Sequence, residues 1–134
     1  MLDDLVAKYG SNLNDNQKIT IDGKIYAVAF MANAQHLWYR ESILNDLGIA
    51  VPSTYEEVIA AAEKIKAAGV MENPYAGAFK SGWNLGQEFV NMYLGHGGEF
   101  FKSGSAQPNV NNEKGVAALN VIKKLTELSN PDFL

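Results

Sequence analysis

The chain has 134 residues, a length for one domain with a modest core. Its 47% apolar and 19% charged residues are those of an ordinary globular protein, and a formal charge of -4 with scattered Lys and Arg excludes a nucleic-acid surface. No stretch reaches the apolar length of a membrane span, and the absence of cysteine excludes disulfides, thiol chemistry and Cys-based zinc sites.

In chain order, "LDDLVAKYG" predicts a short helix ended by Gly10, and "SNLNDNQK" is loop material, so the first twenty residues read as polar and turn-rich. "DGKIYAVAFMA" joins an Asp22-Gly23 turn to a β-prone run. Ile25, Ala27 and Ala29 alternate there with Tyr26, Val28 and Phe30, and both sets are apolar. Such a strand is expected to lie buried on both faces under covering helices. "QHLWYR" predicts a second, shorter strand, with a core place for at least one of Trp38 and Tyr39.

"VPSTYEEVIAAAEKIKAAG" is the clearest helix. Pro52 bars helix upstream, and Ser53 or Thr54 caps it, each with a glutamate three residues on, Glu56 or Glu57. Tyr55, Val58, Ile59, Ala62 and Ile65 form its apolar stripe, and Gly69 stops it. "YAGAFK" then predicts a strand. "NLGQEFVNMYLGHGG" predicts a helix with Leu85, Phe89, Met92 and Tyr93 on one side and Gly97-Gly98 as its stop. "NNEKGVAALNVIKKLTELS" predicts another, capped by Asn111 or Asn112, with Val116, Leu119, Ile122, Leu125 and Leu128 at core spacing. This alternation of strands and helices indicates an α/β layered domain. The abrupt opening at "MLDDL" and the close at "SNPDFL", where Pro131 precedes the apolar pair Phe133-Leu134, lead to the expectation of a piece of a longer protein.

The chain has neither G-x-G-x-x-G nor G-x-x-x-x-G-K-[ST], so no phosphate-cradling loop is supported, and "SGW" and "KSGSA" are not a G-x-S-x-G elbow. His36 and His96 stand apart and outside any metal-ligand spacing. Asp3-Asp4 reads as a polar helix start, and Glu56-Glu57 as a first-turn pair facing the positive end of the helix dipole. Nothing here calls for a cofactor or a metal.

What remains is a set of aromatics beside amides. Trp83 precedes Asn84, Gln87 lies one turn on, and Asn33 and Gln35 follow the apolar "IYAVAF" run. An aromatic face stacks on the C–H patches of a sugar, and amides, being donors and acceptors at once, satisfy its hydroxyls. The competing reading is that Asn84 and Gln87 form an N-x-x-Q capping box and spend their polar atoms on the helix itself. Capping is the stronger of the two for Asn84, and the two are level for Gln87. Trp83, one residue before such a cap, would then be a staple, but its partner would be Glu88, a poor one.

The order of these segments resembles the central region of bacterial extracellular solute-binding proteins of ABC importers, in the sugar-binding branch that includes maltose-binding protein. The likeness lies in the Gly-Lys-x-Tyr strand leading to "NAQHLWYRESIL", in "LGIAVPSTYEEVIAAAEKI", in an aromatic-led helix ending at Gly97-Gly98, and in "VNNEKGVAALNVI". It covers about residues 20 to 134, with Tyr55 where the family usually has Trp. The resemblance implies an α/β, periplasmic-binding-protein-like fold of two lobes joined by a hinge. This chain would be mostly the second lobe, with helices on a small mixed sheet. Residues 1–28 would end the first-lobe segment and approach the hinge, and 29–134 would be a partial second lobe, with a crossing near 29–33. It further implies no catalysis, an extracytoplasmic parent, a sugar clamped between lobes and handed to a membrane permease, and no nucleic-acid partner. Position by position it assigns ligand contact to Asn33 after the crossing and to Trp83, Asn84 and Gln87 at a helix start facing the cleft, without choosing among these three.

Two rival readings stand beside it. A small α/β enzyme domain would need a nucleophile and base that the sequence does not offer. A self-associating module would pair strand edges left open in an isolated lobe.

Overall fold

The computed structural model describes residues 1–31 and 33–133, which divide into two compact units, Met1–Tyr39 and Arg40–Leu134. Ala32, inside the expected crossing at 29–33, and Leu134 of the C-terminal apolar pair lie outside the described residues.

The first unit holds α1 (Asp3–Tyr9), a 3₁₀ turn (Asp15–Gln17), β1 (Lys18–Ile21) and β2 (Lys24–Val28). The expected Asp22-Gly23 turn closes an antiparallel hairpin, both residues having positive φ. β1 lies in a stretch read as loop; its alternation, Lys18 and Thr20 against Ile19 and Ile21, is a strand pattern only four residues long. Ile19 pairs with Ala27 and Thr20 with Ile25, so Tyr26 is the extra residue of a β-bulge. Helix α1 ties to β2 through Leu2 N–H donating to Ile25 O (2.7 Å) and Ile25 N–H donating to Asp3 Oδ1 (3.2 Å). The expectation of a strand buried on both faces is not met. No residue of β2 is fully buried and Tyr26 is half exposed, because among the described residues α1 is the one α-helix of this unit and two strands cannot enclose themselves. The predicted strand "QHLWYR" is also absent. Residues 35–40 have no regular structure, and Trp38 is 89% exposed with Tyr39 exposed beside it, so neither has the core place expected.

The second unit is helical: α2 (Glu41–Asp46), α3 (Tyr55–Ala67), α4 (Trp83–Gly95) and α5 (Glu113–Glu127), then a 3₁₀ turn (Pro131–Phe133). Thr54 is the N-cap of α3, accepting from Glu57 N–H (3.2 Å), while Glu57 accepts from the N–H of Ser53 and of Thr54. At its other end Gly69 N–H reaches Lys66 O and Val70 N–H reaches Ile65 O, the paired bonds of a Schellman stop. The core gathers Phe79, Met92, Tyr93, Ala118, Val121, Ile122 and Leu125, with α5 packed against both α3 and α4. The predicted strand "YAGAFK" is reduced to one parallel bridge, Tyr75 with Ser129, while Phe79 enters the core. Among the described residues the sheet is the antiparallel hairpin of the first unit; the second unit has two isolated bridges, Tyr75 with Ser129 and Phe101 with Pro108, and its three long helices pack chiefly on one another.

On α5 the cap is Asn112, and Ile122, Leu125 and Leu128 are buried as expected. Val116 and Leu119 are 55% and 56% exposed instead. The buried stripe begins at Gly115 and Ala118, one residue round the helix. Gly115 turns toward Val110, whose carbonyl oxygen leaves no room there for a Cβ.

Candidate functional site

Helix α4 carries most of the candidate residues. Its N-cap is Gly82, at φ 114° and ψ -138°, a conformation open to glycine and strained for any residue with a Cβ. Trp83 is the first helical residue, and the cap contributes no side-chain bond. Asn84 and Gln87 therefore lie inside the helix and do not form the capping box, so that competing reading is overturned. The physical reason is the glycine: its backbone turns the chain two residues earlier than an Asn84 cap would.

Trp83 is 78% exposed, and Asn84 and Gln87 are exposed beside it. The helical repeat gathers more than these three. Asn84, Gln87, Glu88 and Asn91 stand at i, i+3, i+4 and i+7, and so line one side of α4 with Trp83 at its N-terminal corner. The core side, Leu85, Phe89, Met92 and Tyr93, adjoins it round the helix. At the far end of this polar face the Asn91 amide donates to the Tyr55 hydroxyl at 2.7 Å, bringing in the first residue of α3. Burial raises the Tyr55 pKa, with the Glu88 carboxylate a second cause. Burial, followed by Glu88 and Tyr55, pushes Tyr75 up to about 12. Both phenols thus stay protonated at neutral pH and can donate, as well as accept, hydrogen bonds. The face presents one indole, three amides, a carboxylate and a phenol. The sequence reading gives Tyr55 a place in the apolar stripe of α3 and Glu88 that of a poor staple partner, and names neither of them, nor Asn91, as a binding residue. The i, i+3, i+4, i+7 recurrence of Asn, Gln, Glu and Asn was legible, whereas Tyr55 reaches them only through helix packing.

Asn33 belongs to the first unit, where it is exposed and outside regular structure. His36 is exposed, and His96 is the C-cap of α4 with Nδ1 2.7 Å from Met92 O. Among the described residues no three His, Asp or Glu are grouped to hold a metal ion.

The family described as bacterial extracellular solute-binding protein matches residues 2–134. Over 120 residues the chain is 32% identical to a probable ABC transporter-binding protein of Deinococcus radiodurans, covering 86% of this chain and 29% of that protein. Over 82 residues it is 32% identical to an uncharacterized ABC transporter extracellular-binding protein of Pyrococcus horikoshii, covering 60% and 20%. Over 65 residues it is 35% identical to a multiple sugar-binding protein of Streptococcus mutans, covering 48% and 15%. The chain thus spans between 15% and 29% of the length of these relatives. No solved structure matches it.

Proposed function

The chain belongs to the bacterial extracellular solute-binding protein family, and on that premise we propose that it supplies one wall of a carbohydrate site in the substrate-binding component of an ABC importer. The observation that carries this reading is Trp83, 78% exposed, with Asn84 and Gln87 beside it and not engaged as caps. A sugar ring lays its C–H face on the indole while the two amides exchange hydrogen bonds with its hydroxyls. The name of one relative, a multiple sugar-binding protein, supports the ligand class. On this reading residues 29–134 form part of a second lobe, residues 1–28 end the first-lobe segment and lead into the hinge, and Asn33 is a separate candidate contact. The whole protein works outside the cytoplasm and passes its ligand to a membrane permease by hinge closure.

The test uses the chain's two tryptophans, Trp38 and Trp83. In a Trp38→Phe chain, Trp83 alone reports. Titration with a panel of neutral mono- and oligosaccharides is expected to give a saturable blue shift of its emission at millimolar sugar, weak because a single wall binds without a clamp. An emission spectrum that no sugar in the panel alters would overturn the reading. Self-association is the second proposal, motivated by the outer edge of β1, on which no further strand pairs among the described residues. Light scattering over a concentration series decides it, a constant monomer mass ruling it out.

A further inference from the structure

Helix α4 has two possible starts, and the structure uses one. The start in use is Gly82, whose carbonyl accepts the Gly86 N–H at 3.0 Å and which gives the helix no side-chain cap. The unused start is Asn84, with Gln87 three residues on. From there Asn84 Oδ1 would accept the Gln87 N–H, and Gln87 Oε1 the Asn84 N–H, the reciprocal pair of a capping box. The same Asn-x-x-Gln spacing does act at a helix start elsewhere in this chain: Gln17 Oε1 accepts the Asn14 N–H at 3.0 Å. The Asn84 start would gain that pair of bonds and give up first-turn backbone bonds, Gly86 N–H to Gly82 O among them, so the two starts are close in free energy. The residue at 82 decides between them. Its φ of 114° and ψ of -138° belong to glycine, yet an added Cβ would meet no atom within 4 Å. A side chain there has room; what it cannot keep is the backbone conformation.

We propose that Gly82 is the positioning residue of the Trp83 site: its positive φ starts α4 at Trp83 and so keeps the Asn84 and Gln87 amides from closing on the N–H groups of their own helix. An L side chain at 82 moves the start to Asn84. The two amides then turn onto the backbone, and Trp83 leaves the helix that holds it beside them. The consequence for binding rests on the carbohydrate reading of Trp83; the choice of helix start does not.

The experiment compares three forms of the 134-residue chain: unaltered, Gly82→Ala, and a semisynthetic chain with D-alanine at 82. The D residue carries the same methyl group but is relaxed at this φ and ψ, which mirror an extended L residue. Backbone carbon chemical shifts over residues 80–88 report where the helix begins, and unchanged signals of the buried Met92 and Tyr93 report that the fold is kept. Each form is then titrated with glucose and with maltose. The expected result is a start at Trp83 in the unaltered and D-alanine chains and at Asn84 in Gly82→Ala, with sugar affinity in Gly82→Ala lower by roughly tenfold. A Gly82→Ala helix that still begins at Trp83, or a D-alanine chain that shifts as the L-alanine chain does, overturns the proposal. So does a start that moves while sugar affinity stays the same. If neither sugar perturbs residues 83–87 of the unaltered chain, the Trp83 reading falls with the binding role of Gly82, and the carbon shifts still decide which residue starts the helix.

Discussion

Tyr93 shows how much one side chain organises here. It is fully buried, stacks on Phe89 with ring centroids 5.6 Å apart, and packs at a tilt on Phe100 at 5.5 Å. Its hydroxyl lies 2.8 Å from Glu99 O and 2.7 Å from Asn109 O, and accepts from Asn112 Nδ2 at 3.0 Å. The same Asn112 caps α5 through Oδ1, so one phenol links the end of α4 to the start of α5. Tyr93→Phe keeps the packing and strips these partners, and should cost about 1–3 kcal/mol in urea unfolding. Gly98 meets the same ring: a Cβ there would stand 2.4 Å from the ring carbon Cζ of a fully buried side chain. Gly98→Ala should destabilise by about 1–3 kcal/mol in the same assay. At Tyr75, burial holds the phenol protonated up to about pH 12. A raised folded value means that its contribution is complete below the ordinary 10.0 and fades as pH rises through about 12. Tyr75→Phe should flatten that alkaline loss of stability, read as the thermal midpoint between pH 9 and 12.

At the scale of elements, the helix ends follow local chemistry. In α3 the Thr54–Glu57 box is formed as its spacing requires, and Thr54→Ala should cost about 1 kcal/mol of stability. Hydrogen bonds from Ser53, backbone first and then side chain, hold the Glu57 carboxyl below its ordinary value of 4.5. A lowered folded value contributes stability that is complete above 4.5 and is lost as pH falls through the lowered value. Glu57→Gln should therefore reduce the acid-side loss of helix signal in circular dichroism, and an unchanged profile would show that the box carries no charge effect. In α4, Gly86 lies mid-helix with open space where a Cβ would go. Gly86→Ala should stabilise the chain by about 1 kcal/mol. The elements that depart from local expectation are strands. "QHLWYR" and "YAGAFK" have β-prone residues, but a strand needs a hydrogen-bonded neighbour, and within its unit the second finds one only at Tyr75 with Ser129.

At the scale of the whole molecule, two units carry different shares of the argument. The second has the core and the candidate face. The first has the hairpin and the exposed run through Trp38. The matched region is at most 29% of the length of the three relatives compared, and ligand clamping is a property of two lobes. On the carbohydrate reading, the longer protein should therefore gain several degrees of thermal midpoint from its sugar while this chain gains almost none. A shift in the isolated chain as large as in the longer protein would count against the one-wall picture.

The amino-acid sequence by itself determined where the three long helices lie, the cap of α3, the glycine stops of α3 and α4, the Asp22-Gly23 turn, and the family, because each rests on neighbours a few residues apart or on the order of such segments. Tertiary packing alone decided the rest. It turned Val116 and Leu119 outward by seating Gly115 on Val110, left Tyr26 unpaired in a bulge, and set Tyr55 on Asn91 across two helices. Trp83 lies between the two cases. Its place at the start of a helix follows from Gly82 next door, but its exposure is a matter of which side of α4 the core required, and Leu85, Phe89 and Met92 took the other.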